Sequence, residues 1–232
     1  MRIIGRYRLP SDVASELKHA LSDNPQIVIL DLHDMAGNSR LLHEVLDPVT
    51  DYLAAWPGTV VVVCVPDPEA STPALPATIV DRVLAARSHA EALERARDLV
   101  PPQYAASTFL TPQPVASDDA RTFTRRTLRD WEMPELVWPA SLVVSELVTH
   151  SILEAQTVLD LSLSKVDHLV RIAVHDYGAD RFRPTQQVEH SDPLEDPLLD
   201  RGLLVVRALT HSWGVFPSRV RGKTVWAVLG DP

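Results

Sequence analysis

Apolar positions along the chain follow two periods, and the switches between them mark its elements. QIVILDL (Gln26–Leu32) and TVVVVCV (Thr59–Val65) are short, β-branched runs bounded by turn residues, the pattern of buried strands. The second run is continuously apolar, so it is expected to be covered on both faces. RIIGRYRL can form a strand ahead of them, and ATIV (Ala77–Val80) is expected to add another. Ser11–Asp12 offers a helix cap before VASELKHAL. SRLLHEVLDPVTDYLAAW is helical in period, with Pro48 expected to kink or split it. HAEALERARDLV reads as a closing amphipathic helix, so strands and helices alternate as in an α/β unit.

A proline-rich stretch, Pro101–Pro114, interrupts the periodicity and places a domain boundary near Pro101, with a short strand at Ala106–Leu110. Beyond it, Ser117 is expected to cap a helix with Asp118 and Asp119 in its first turn. Ala120, Phe123, Thr127, Leu128 and Trp131 share one face of that helix. A central helix from Pro139 (PASLVVSELVTHSILEA) is expected to turn Leu142, Val143, Leu147, Ile152 and Leu153 to the core. VLDLSLS and LVRIAVHDY form a strand pair turning near Val166–Asp167. After an irregular segment (Gly178–Leu199), RGLLVVRALTHSW is a helix, and WGVFPSRV and KTVWAVL are the last strands. The predicted class is α/β (α+β), with domains at 1–100 and 101–232.

Bulk properties narrow the function. A net charge of −9 disfavours general binding to nucleic-acid phosphates or to an anionic membrane. A single cysteine, Cys64, precludes a disulfide framework within the chain and suits a reducing cytoplasm. The N-terminus lacks the apolar core of a secretion signal, and the apolar runs fall short of the ~20 residues that cross a bilayer. Nineteen prolines against eight glycines leave little material for phosphate-cradling loops, and no G-x-x-x-x-G-K-[ST], G-x-G-x-x-G or H-E-x-x-H pattern occurs.

The chemistry-bearing residues lie in the second half. Glu146 and His150 stand one turn apart on the central helix. HDYG (His175–Gly178), DRGLL (Asp200–Leu204) and GKTVWAVL (Gly222–Leu229) follow in order. On SELVTH, the DYG after a strand, RGL opening a helix and the final GKTVWAVL, this half resembles the GHKL ATP-binding fold, an α/β sandwich, and in particular the anti-sigma-factor serine kinases. On GRYRLPSDVASELKHAL, IVILDL and WPGTVVVVCVPDP, the first half resembles a STAS domain, the fold of anti-sigma-factor antagonists.

The resemblance implies roles residue by residue. Glu146 stands where these kinases hold a carboxylate that takes the proton of the attacking serine, which requires hydrogen-bond reach of that hydroxyl. Asp176 matches the aspartate that accepts from the adenine amino group, Gly178 lies close to the base, and Thr224 matches a threonine bordering the adenine pocket. Gly202 stands at a helix entry near the phosphates. Ser39, in AGNSRLL, is the hydroxyl nearest to the serine that STAS antagonists phosphorylate, one position out of register; otherwise it caps a helix.

Three departures bear on activity. His150 replaces the family's magnesium-binding asparagine, and imidazole suits zinc or copper better than Mg²⁺. With Glu146 it lacks an evident third zinc ligand. Asp180 replaces a glycine of the usual D-x-G-x-G, and Asp200 the glycine before RGL. A carboxylate ~6 Å from a phosphate oxygen at an effective dielectric of ~20 repels it by roughly 2–3 kcal/mol. The expectation is therefore a cytoplasmic regulatory protein that binds a sigma factor, a STAS-domain antagonist or a second copy of itself, with a weakened site for ATP and Mg. The alternatives are an active serine/threonine kinase acting on a STAS-domain antagonist, phosphorylation within the chain onto Ser39, and an interaction module unrelated to sigma factors.

Overall fold

The structure is a computed structural model that describes residues 2–3, 10–33, 39–68, 75–178 and 201–230. The chain divides into two compact units, Met1–Pro102 and Gln103–Pro232, both of mixed α/β character.

In the first unit, β1 (Arg2–Ile3), β2 (Ile27–Asp31), β3 (Val60–Cys64) and β4 (Val83–Ala86) form a parallel sheet in sequence order. Every residue of β3 is buried, as its unbroken apolar run requires. Ile29, Val60, Val62 and Cys64 face Ala92 and Ala96 of α4 (His89–Arg97). The helices α1 (Pro10–Ser22), α2 (Ser39–Leu46) and α3 (Thr50–Ala55) complete the unit, and Pro48 does split the second helical run, through a 3-10 turn at Asp47–Val49.

Two expectations fail here for local reasons. The strand after β3 is not ATIV: Ile79 and Val80 donate backbone bonds to Pro76 O, forming a turn, and the paired strand begins at Val83. The first helix begins at Pro10, so Ser11 lies inside its first turn rather than before it. Proline at the first helical position wastes no amide. Ser39 is the first residue of α2.

The second unit is a five-stranded antiparallel sheet in the order β5-β6-β7-β9-β8, formed by β5 (Tyr104–Leu110), β6 (Leu159–Val166), β7 (Leu169–Asp176), β8 (Ser212–Pro217) and β9 (Lys223–Leu229). Its core lies between one sheet face and α5 (Ala116–Asp130), α6 (Val137–Ala155) and α7 (Arg201–Leu209). Leu159, Leu161 and Leu163 of β6, Val170, Ile172 and Val174 of β7, and Val225, Ala227 and Leu229 of β9 all point into this core. The strict alternation fixes the facing of every other side chain on these strands.

The buried residues of α6 are Ala140, Ser141, Val143, Val144, Leu147, Val148 and Ser151, so Leu153 is not a core residue; it is 68% exposed. Ser117 does not cap α5 either, since Val115 stands at the cap without a side-chain bond. Its hydroxyl instead meets Thr149 Oγ1 of α6 at 3.1 Å, and Arg121 and Arg125 of α5 reach Ser145 and Ser141 in the same seam. The segment Pro134–Ala155 is apolar and long enough to cross a membrane by length and composition, in contrast to the expectation from the apolar runs. Its buried stripe against the sheet is that of a core helix.

Candidate functional site

The candidate residues of the second unit gather where the carboxyl half of α6, the end of β7, the start of β9 and the start of α7 meet. Asp176 closes β7 and is 1% exposed. A carboxylate so buried needs donors and a counter-charge. Its Oδ1 accepts the Gly178 backbone N–H at 3.1 Å, and its Oδ2 lies 3.1 Å from Lys223 Nζ, a charge contact rather than an aligned hydrogen bond.

Lys223 is held from its other side by Glu154 of α6, whose Oε2 lies 2.7 Å from the ammonium. The same oxygen lies 3.3 Å from His150 Nε2. His150, Glu154, Lys223 and Asp176 therefore form one chain of alternating groups across three elements. Glu154 is drawn well below the usual carboxylate range, to about 2, first by its hydrogen bond with His150, against the opposing effect of burial, and then by Lys223. For Lys223, burial alone would lower the pKa, but the two carboxylates outweigh it and the net direction is upward. The ammonium is thus a fixed charge.

The backbone around Asp176 is closed as tightly as its side chain. Gly222 precedes Lys223 at φ +74°, a left-handed conformation, and a Cβ there would overlap the Asp176 carbonyl oxygen and lie 2.6 Å from Oδ1. A Cβ on Gly178 would meet that of Ala155 at 3.0 Å. Glycine at both positions lets β9 and the end of β7 close on one another.

Glu146 lies two turns before Glu154 on α6, against the start of α7, where a Cβ on Gly202 would overlap its Oε2. The structure thus brings Glu146, His150, Asp176, Gly178 and Gly202 into one region, with His150 paired to Glu154 rather than to Glu146. It does not bring Thr224 to Asp176. Thr224 pairs in register with His175, and its hydroxyl lies 3.2 Å from His175 Nδ1 on the opposite face of the sheet. The residue of β9 that shares the Asp176 face is Lys223, because side chains alternate along a strand. Asp180 and Asp200 lie outside the described residues.

Lys223 and Glu154 were not singled out from sequence, although signals for both exist. Val225, Ala227 and Leu229 fix the phase of β9 and put Lys223 on the core side, and Glu154 follows His150 at helical spacing. Among the described residues no group of three His, Cys, Asp or Glu side chains is arranged to hold a metal ion. The Nε2 of His150 is directed at Glu154.

Comparison with models of known protein families finds no match, and neither does comparison with curated proteins.

Proposed function

We propose that this chain is a cytoplasmic regulatory protein of the anti-sigma-factor type, acting by binding a sigma factor or a STAS-domain antagonist, with a diverged and weakened nucleotide site. In this reading the second unit has GHKL ancestry and the first is STAS-like. One observation carries it: the carboxylate that would receive an adenine amino group is already engaged by Lys223, and Lys223 is anchored a second time by Glu154. An entering base would have to displace a cation from two anions and supply only a neutral donor in exchange. Charge-assisted contacts are about twice as strong as neutral ones, so the exchange is unfavourable. A triphosphate would also meet Glu146 and Glu154 with no magnesium ligand of the usual hard type at His150.

Isothermal titration of the protein with Mg²⁺-ATP tests the site. The expected result is no binding below millimolar concentration, and micromolar binding would overturn the proposal. The same titration on Lys223→Thr is expected to show tighter binding, because Asp176 regains a free acceptor. Titration with purified sigma factors and STAS-domain proteins tests the partner.

A second reading, an active serine/threonine kinase acting on a STAS-domain antagonist, draws on Glu146. Its carboxylate stands at the start of α7 beside Gly202, where helix amides favour an anionic ligand. Phosphate transfer from labelled ATP to a STAS-domain protein, abolished by Glu146→Gln, would establish it.

A further inference from the structure

The first unit carries a separate cluster at the carboxyl ends of its strands, on the α4 face of the sheet. Asp31 ends β2. Its Oδ1 lies 2.7 Å from His33 Nδ1 and accepts the His33 backbone N–H at 3.3 Å. Its Oδ2 lies 3.2 Å from Nε2 of His89, the first residue of α4. The other ring nitrogen of His33, Nε2, lies 3.0 Å from the backbone carbonyl oxygen of Arg87, just after β4. Since β2 and β4 flank β3, the His33 ring bridges the end of the middle strand.

The protonation state follows from the partners. A carbonyl oxygen and an ionised carboxylate only accept, so each ring nitrogen of His33 must carry a hydrogen, which makes the ring an imidazolium. Asp31 is ionised in this setting: burial pushes its pKa up, but the His33 hydrogen bonds and the charges of His33 and His89 bring it below the usual value. We infer that His33 is a proton-dependent clasp, tying the end of β2 to the end of β4 across β3 while doubly protonated and releasing one of its two bonds when it loses a proton. Among the described residues, the titratable and charged groups beside it include Asp31 and the buried Cys64 at the ends of β2 and β3, Arg87 after β4, and His89 and Glu91 on α4. Glu91 is engaged elsewhere, accepting the Arg87 N–H at 2.8 Å and pairing with Arg95 at 3.8 Å.

The sign of the linkage is fixed by these contacts. The folded state binds the His33 proton more tightly than the unfolded chain, so the stability it contributes is present in mild acid and is lost as pH rises through the titration of the ring. Two backbone bonds report on the same edge, Leu32 N–H to Cys64 O at 2.9 Å and Val65 N–H to Ala86 O at 3.0 Å.

The test uses the full chain labelled with ¹⁵N. Imidazole correlation spectra at pH 6 are expected to show both His33 nitrogens protonated, and a neutral tautomer at that pH would overturn the inference. Hydrogen exchange gives a second readout: after correction for base catalysis, protection of Leu32 and Val65 is expected to fall roughly fivefold between pH 6 and pH 8.5, the size of one lost hydrogen bond. The variant His33→Gln should show lower, pH-independent protection at both amides. Protection in the intact chain that does not change over this range would equally overturn it, and should the variant not fold, the spectra of the unaltered chain decide.

Discussion

Lys223 and Asp176 face each other across β9 and β7 with the ammonium 3.1 Å from the carboxylate, and Asp176 has almost no other access to solvent. The pair is held from behind by Glu154 and below by the Gly222 turn, so a site that could receive a ligand's donor receives one from its own chain. Removing one partner of such a pair leaves an uncompensated buried charge. Lys223→Ala is expected to destabilise the protein by about 3 kcal/mol, and Asp176→Asn in that background to recover most of the loss. Urea denaturation midpoints of the single and double variants measure it; a loss under about 0.5 kcal/mol for Lys223→Ala would contradict the role given to the pair.

Acid stability should carry the signature of Glu154. Its folded pKa, about 2, lies below the ordinary glutamate value of 4.5, so the stability it contributes is present above the unfolded value and is lost as pH falls through the folded one. Between those two values the unaltered protein is expected to lose stability more steeply than Glu154→Gln. Thermal unfolding followed across that range checks this, and parallel profiles for the two proteins would rule it out. Because Glu154 is partly exposed, raised salt should flatten the difference.

The two glycines beside Asp176 are expected to behave unequally. Gly222→Ala combines a left-handed backbone with an overlap on the Asp176 carbonyl and should cost about 3 kcal/mol or more. Gly178→Ala brings only a close side-chain approach to Ala155, and should cost about 1 kcal/mol. Equal losses in chemical denaturation would show that the turn at Gly222 has more room than its geometry allows.

A methyl group on Gly202 would overlap only the carboxylate end of the Glu146 side chain, which can rotate aside. Gly202→Ala is therefore expected to cost less than about 1 kcal/mol, with alanine's better helix propensity offsetting the displaced carboxylate. Urea denaturation of the variant checks this, and a loss above about 2 kcal/mol would mean that the Glu146 carboxylate is fixed in place.

Much of the architecture was legible beforehand because periodicity reports burial. QIVILDL, TVVVVCV, VLDLSLS, LVRIAVHDY and KTVWAVL all supplied strands, the fourth ending at Asp176, and the Pro48 break and the turn after Val166 fell where proline and polar residues place them. Local chemistry misled where two local solutions competed. Ser117 had the makings of a cap but found Thr149 on the neighbouring helix, and ATIV had strand propensity but sits in a turn made by Pro76.

The amino-acid order by itself determined the class of fold, the buried strands and helices, and the set of elements that would carry Glu146, His150 and Asp176. Each of these depends on burial pattern, which is local and periodic. Which polar groups meet was decided only by the tertiary structure. Lys223 and Asp176 are far apart in the chain, and their contact depends on the pairing register of β7 with β9, which also turns Thr224 to the other face. His33 likewise acquires its second partner only because β2 and β4 flank the same strand. A register is set by the sum of many apolar contacts, so no single residue announces it.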